Sequence, residues 1–497
     1  MERVASAEQI KAYEKKLITE KGVPSLLLME RAALHLYERV CRILAALPQN
    51  GKKRILILSG SGNNGADGLA LARFLLERDD TELTLCCTGN PDHATEEWKT
   101  QAGILSKLGQ NIGGFPDPLP AFDILVDAML GIGLNRPLDE RYQALINAIN
   151  QRRRETDCRI LSVDIPTGLH TDRGLAMPVA VMADETVTFS AIKRGLIVNE
   201  GCRYSGVLCC RPIGIYDETK GCGEYRMHWE EMKNELPPRD PLGHKGSFGK
   251  VLCITGSAEM PGAAILNAQA ALKSGAGMVK ILTPAVNRDL LIKAVPEAMF
   301  VPAECDDARL KKELDWADVL VLGCGLGKAA ASEWLSKKAI REWPHPIVID
   351  ADGLNALAED LSFLTERAQV AAPSILTPHP GEFARLFPEE KEAMQDADRL
   401  RFLTDRYGCI LTAKSATTMV ADAKRVYYNT EGNDGMATAG SGDVLAGITG
   451  ALLCVCPDPF MAAALAVSMH AHCGDLAAAR YGNSGVTASS LIEALTE

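Results

Sequence analysis

The chain has 497 residues, too many for one ordinary domain, and its 47% hydrophobic and 24% charged residues are the mix of a globular protein with full cores. A formal charge of -11 excludes a general nucleic-acid binder, because no basic excess is present to neutralise a phosphate backbone. With no apolar run of about 18 residues and no leader-like apolar segment near the start, the expectation is a cytoplasmic protein without a membrane partner.

Residues 3–46 carry apolar and charged positions at helical spacing, and Gly22-Val23-Pro24 break them into two helices. Short β-branched or leucine-rich runs follow at 55–58, 83–87, 124–126, 160–163 and 186–189, with helix-like segments such as 69–77 and 142–153 between them. Strands alternating with helices imply a parallel sheet covered on both faces. The pattern lapses over 217–245, a polar stretch with Gly221, Gly223, Pro237-Pro238 and Pro241, so a domain boundary belongs there. A second alternation runs through 251–255, 279–282, 319–322, 347–349, 375–377 and 410–412, and ends in an alanine-rich helix at 461–480. The reading is an α/β protein of two three-layer αβα domains, over 1-217 and 226-497. The 15 cysteines are scattered (Cys41, Cys158, Cys324) or adjacent (Cys86-Cys87, Cys209-Cys210), never in paired Cys-x-x-Cys sets. They read as reduced core residues rather than disulfides or metal ligands.

The run Ser59-Gly60-Ser61-Gly62-Asn63-Asn64-Gly65-Ala66-Asp67-Gly68 joins the strand at 55–58 to a helix. Glycines allow close backbone approach there, and free amides at the helix start can face a phosphate. For one such loop alone, Asn and Asp merely capping the helix is the plain alternative. Two later strands end alike. One runs through Asp127 into Ala128-Met129-Leu130-Gly131-Ile132-Gly133, and another, at 160–163, into Asp164-Ile165-Pro166-Thr167-Gly168. In open parallel sheets ligands lie beyond the carboxyl ends of the strands, so the aspartates should converge on the glycine turn. The oxygen-only set Asn64, Asp127 and Thr167 suits a hard cation.

These three segments, together with Leu28-Met29-Glu30 and Lys193-Arg194-Gly195-Leu196, resemble the NAD(P)H-hydrate epimerase family over about residues 1–215. The resemblance implies a Rossmann-like domain in which Asn64, Asp127 and Thr167 bind K+. It also implies that Asn63, Asn64, Gly65, Ala66 and Asp67, the loop Gly131, Ile132, Gly133, Leu134, Asn135, Arg136 and Pro137, and Asp164 contact the hydrated nucleotide. Lys193 is implied as an acid–base or phosphate partner. The chain departs from the family at Arg31-Ala32-Ala33, where Asn-Ala-Gly is usual, at Glu14, where an aspartate is common, and at Ala66, where glycine is frequent.

In the second half, Gly435-Met436-Ala437-Thr438-Ala439-Gly440-Ser441-Gly442-Asp443 precedes Val444-Leu445-Ala446-Gly447. Small residues let the backbone wrap an anion, and amides opening a helix supply donors. An aspartate there can take the proton of a hydroxyl attacking a phosphoryl group. No Gly-Lys-Ser/Thr of a Walker A loop is present. The segment resembles the ribokinase-like superfamily. With His244-Lys245-Gly246-Ser247-Phe248-Gly249, Gly256-Ser257, Met260-Pro261-Gly262-Ala263-Ala264, Leu322-Gly323-Cys324-Gly325-Leu326-Gly327, Asp350-Ala351-Asp352-Gly353-Leu354-Asn355 and Thr377-Pro378-His379-Pro380-Gly381-Glu382, it resembles the NAD(P)H-hydrate dehydratase family.

That resemblance implies Asp443 as catalytic base, with Gly442 beside it at the adenine nucleotide. Lys414, Ser415, Ala416, Thr417 and Thr418 would border the AMP portion, and Ala263, Gly325 and His379 would touch the hydrated nicotinamide nucleotide. Lys414-Ser415 departs from the usual Lys-Gly, and Cys324 and Asp434 stand where proline is frequent. A lone histidine beside prolines is by default a capping or surface residue, and the other histidines show no zinc-ligand spacing.

The implied chemistry is repair of hydrated NADH and NADPH (NADHX and NADPHX) by epimerisation of the R and S forms and ADP-dependent dehydration of the S form. Mg2+ would accompany ADP, and the chain would act as a homo-oligomer. A ribokinase-like kinase acting on a small alcohol, with an accessory nucleotide-binding domain, is the alternative, since Asp443 and its loop serve that chemistry equally well.

Overall fold

The computed structural model describes residues 1–48, 51–214, 223–370 and 373–496. The expected domain limits at 217 and 497 lie outside them. The backbone divides into two compact units, one built from 2–222 and the other from 223–497.

In the first unit, seven strands are all parallel, in the order Ile112–Gly113, Thr81–Cys87, Lys53–Ser59, Ile124–Ala128, Arg159–Val163, Glu185–Phe189 and Val207–Arg211. Alternate residues of one strand serve two cores: Ile55 and Ile57 pack with the helices Ser25–Ala46 and Asn63–Leu75, whereas Leu56 and Leu58 pack with Glu140–Glu155. Helices therefore cover both faces, as continuous apolar strand runs require. The expected helical run from residue 3 begins instead with a strand, Glu2–Ala5, paired in parallel with Ile192–Lys193. Ser6 then stops the strand, its hydroxyl accepting from the Gln9 amide in a capping box that opens the helix Ala7–Thr19.

In the second unit the order is Met299–Pro302, Met278–Thr283, Lys250–Ile254, Val319–Leu322, Ile347–Ile349, Ser374–Leu376, Cys409–Ala413, Thr418–Ala421, Val426–Asn429 and Glu224–Arg226. The strands are parallel as far as Cys409–Ala413, after which Thr418–Ala421 and Val426–Asn429 run antiparallel. The helix Ser441–Leu453 is buried along almost its whole length, and its Gly447 approaches Asn267 and Ala270 of the helix Pro261–Lys273. No helix among the described residues is long and apolar enough to cross a membrane.

Each sheet reverses its strand order once. In the first, the chain moves outward from Lys53–Ser59 and returns to the other side at Ile124–Ala128; in the second, it leaves Lys250–Ile254 and returns at Val319–Leu322. The crevice at such a reversal is where an open α/β sheet receives ligands.

Candidate active sites

The first crevice holds a cavity of about 960 Å³. The chain closes it tightly from below. A Cβ on Gly65 would collide with the Gly60 carbonyl, so the glycine turn folds back on itself and begins the helix at Asn63, six residues earlier than the periodicity predicts. Asn63, Asn64, Asp67, the loop from Gly131 to Pro137, Asp164 and Lys193 line the cavity. Gly65 and Ala66 are buried behind it. Lys11 and Glu14, from the helix Ala7–Thr19, line it as well.

Lys193 is buried, 1% exposed, and its ammonium donates to Asp164 Oδ1, to Thr188 Oγ1 at 3.1 Å and to the Phe189 carbonyl at 3.0 Å. Asp164 adopts φ +64, uncommon for a residue with a side chain, which is a local strain held where its carboxylate meets the lysine. Two further carboxyls respond to this pair. Burial first, then the charges of Asp164 and Glu14, raise Asp67 well above the usual carboxylate range. Burial and Asp164 also raise Glu14, while Lys193 and Lys11 pull it back. Three carboxyls thus face one buried ammonium, and burial favours the protonated form of Asp67.

Beneath the cavity, Asp127 is fully buried. Its Oδ2 accepts from Ser162 Oγ at 2.9 Å and the Thr167 amide at 2.8 Å, and its Oδ1 accepts from Thr167 Oγ1 at 2.6 Å. Burial still raises its pKa against these bonds. Asn64 lies against Gly131, and its Nδ2 is buried with no partner among the described residues. The carboxylate of Asp127, the hydroxyl of Thr167 and the carboxamide oxygen of Asn64 are hard oxygen donors of the kind a cation such as K+ takes, whereas the orphaned atom of Asn64 is an N–H donor and not a ligand.

The second crevice gathers four strand ends. Gly323, Gly325 and Gly327 all take positive φ after Val319–Leu322, and the Gly256 amide donates to the Cys324 carbonyl at 2.7 Å. A Cβ on Gly325 would press on the Ala263 Cβ, so these two predicted contact residues are neighbours. Asp350 follows Ile347–Ile349, and Lys414 follows Cys409–Ala413; the Lys414 ammonium donates to Asp350 Oδ1 at 2.7 Å. Burial opposes the ammonium, but Asp350 and Glu382 outweigh it and raise Lys414 above its ordinary value. Gly442, in the first turn of Ser441–Leu453, stands against both: a Cβ there would lie 3.3 Å from Lys414 Nζ and 3.4 Å from Asp350 Oδ2. Next to it, Asp443 is half-buried. Burial, then the Asp350 charge, push its carboxyl up to about 6, with the Cys324 thiol and Lys414 pulling the other way.

Ser415 and Ala416 are exposed at the tip between two strands, where Ser415 Oγ donates to the Thr417 carbonyl at 2.8 Å and Thr418 Oγ1 donates back to the Ser415 carbonyl at 3.3 Å. His379 has the capping geometry. Its Nδ1 accepts from the Gly381 and Glu382 amides at 3.0 and 3.4 Å, and its Nε2 lies 3.3 Å from Glu382 Oε1. Its side chain remains 51% exposed, so a ring edge stays available above the helix. Sequence spacing did not point to Cys324, Asp350 or Glu14 as site residues, because each reaches its crevice from a separate element.

A family model described as NAD(P)H-hydrate dehydratase matches residues 251–497, and one described as YjeF-related protein N-terminus matches 25–195. A bifunctional NAD(P)H-hydrate repair enzyme of Moorella thermoacetica is 35% identical, with 99% of this chain and 96% of the relative covered. The Escherichia coli enzyme of the same description is 34% identical over 98% of this chain and 92% of its own length. Among solved structures, a ribokinase-like superfamily protein of Enterococcus faecalis superposes with a TM-score of 0.50 at 28% identity, covering 56% of this chain and 97% of that one.

Proposed function

Since the chain belongs to the bifunctional NAD(P)H-hydrate repair enzymes, with an epimerase half and a dehydratase half, we propose how its own residues divide that work. The observation that carries the dehydratase assignment is Asp443, a carboxyl at about 6, in the first turn of a helix beside Lys414 and Asp350. Such a group is ionised at neutral pH yet basic enough to accept a hydroxyl proton. Asp443 takes the proton from the hydroxyl on carbon 6 of the S-hydrate. The oxygen then attacks the terminal phosphoryl group of ADP, and AMP leaves. The ring nitrogen's electron pair next expels phosphate, leaving an iminium at carbon 6, and loss of a proton from carbon 5 to the departing phosphate or to solvent restores the reduced nicotinamide. Lys414 and the helix amides at Gly442 face the transferred charge. Mg2+ entering with the phosphates would take hard oxygen ligands from them and from the Asp350 carboxylate, leaving Asp443 free as the base, and would neutralise phosphate charge.

This predicts the acid limb of the dehydratase. Protonation disables the base, so kcat/KM for the S-hydrate falls as pH drops through about 6 and is level above it. A limb at the value of an ordinary carboxyl would show that Asp443 is not the titrating base.

In the epimerase half, the reading assigns the cavity of about 960 Å³ to the hydrated nucleotide, with Asp164–Lys193 and Asp67 as the proton-handling groups and the loop Gly131 to Pro137 over the ligand. Asn64, Asp127 and Thr167 would hold K+, which supplies a fixed positive charge for the ligand's oxygens. Replacing K+ by Li+ should then lower epimerase turnover about tenfold while leaving dehydration of pure S-hydrate unchanged; equal rates in both salts would remove potassium from the account. Homo-oligomerisation belongs to the same reading. It is supported by Leu27 and Leu34, 57% and 44% exposed and one heptad apart on the helix Ser25–Ala46. The free buried thiols, Cys253 and Cys409 among them, suit a reducing compartment such as the cytoplasm.

A further inference from the structure

We propose that Cys324, Asp350 and Asp443 form a binding site for a thiophilic divalent cation of the Zn2+ type. One ligand atom from each lies within 4.8 Å of the other two. Cys324 is 0% exposed and Asp350 2%, so the donors are held by packing rather than floating on a surface. The separation of Cys324 Sγ from Asp350 Oδ2 is 3.8 Å. A tetrahedral zinc with Zn–S of about 2.3 Å and Zn–O of about 2.1 Å spans an S···O edge of about 3.6 Å, so the pair is already spaced for the ion.

A second observation points into the same cluster. Asn267 is fully buried, and its Nδ2 reaches Cys324 Sγ at 3.9 Å and the Asp443 carbonyl at 3.0 Å, while its Oδ1 has no partner among the described residues. An amide N–H aimed at sulfur favours the thiolate over the thiol. Lys414 does not block the site, because it holds Asp350 through Oδ1 and leaves Oδ2 to face Cys324.

Charge completes the argument. Asp350, Asp443, Asp352 and Glu382 act on this region against the single Lys414 ammonium, so the cluster is net negative while Cys324 is a thiol. Cation binding drives the Cys324 proton to solvent, and the dication offsets the new thiolate and one carboxylate. The fourth coordination position stays open for water or a phosphate oxygen. Coordination requires the thiolate, so affinity falls as pH drops. The consequence for turnover rests on Asp443 being the base: a coordinated carboxylate cannot accept the substrate proton.

The test uses the full chain and Co2+ as a spectroscopic probe. One Co2+ per chain should give a sulfur-to-cobalt charge-transfer band that Zn2+ reverses and that Cys324→Ser lacks. Zn2+ should inhibit dehydration in the wild type, with the midpoint about 10-fold or more higher in the variant. Should the variant fold poorly, proton release in the wild type serves instead, with about one proton per Zn2+ at neutral pH. A band that persists in Cys324→Ser, no band, or Zn2+ uptake without proton release overturns the site. A Cys324-dependent band without inhibition leaves the site standing and overturns the role of Asp443.

Discussion

Asp443→Asn is expected to lower dehydratase kcat by about a thousandfold, within the range that loss of a general base costs, with little change in the KM for ADP. Asparagine keeps the shape and the place in the helix turn, but it cannot take the hydroxyl proton. Lys414, Asp350 and the helix amides remain, so nucleotide binding persists. The same variant separates chemistry from folding. Because burial and Asp350 disfavour the ionised Asp443, the folded state bears a cost above pH 6 that the neutral amide removes. Thermal stability at pH 8 should therefore match or exceed that of the wild type. Activity lost together with stability would mean that Asp443 is structural, and activity retained would mean that another group is the base.

Lys193→Met should have the largest effect on the first unit. Its ammonium is the buried cation to which Asp164, Thr188 and the Phe189 carbonyl are bound, and it also restrains Glu14 and Asp67. Removing one partner of a buried pair costs about 3–5 kcal/mol, because the remaining charge keeps its desolvation penalty. Asp164 would then be left without its cationic partner, or the local fold would open. Epimerase activity should drop about a hundredfold or more, while dehydration of pure S-hydrate, carried out in the other unit, is retained. A stable variant with normal epimerisation would exclude Lys193 from both roles.

Much of this architecture could be read from the chain because strands buried on both faces carry continuous apolar runs, such as 55–58 and 319–322, and the glycine loops at their ends are local in sequence. The first strand, Glu2–Ala5, was hidden because four residues cannot distinguish a period of two from one of 3.6. The antiparallel pair Thr418–Ala421 and Val426–Asn429 was likewise masked by the surrounding parallel pattern. Residues that meet only in the fold were out of reach. Glu14 comes to the first cavity from the helix Ala7–Thr19, far from Asp164 in sequence, and Cys324 meets Asp443 only because strand order reverses beside Val319–Leu322. His379 shows the opposite case, a motif residue whose ring is engaged in capping, as its proline-flanked position implies by default.

The claim that two sites act in series is tested most directly with the purified R-hydrate and ADP as sole substrates. The account predicts full recovery of the reduced-nicotinamide absorbance, one AMP and one phosphate released for each molecule repaired, and passage through the S form, which accumulates when Asp443→Asn replaces the wild type. A stable phosphorylated nucleotide with no recovery of absorbance, or an R-hydrate left unconsumed, would contradict it.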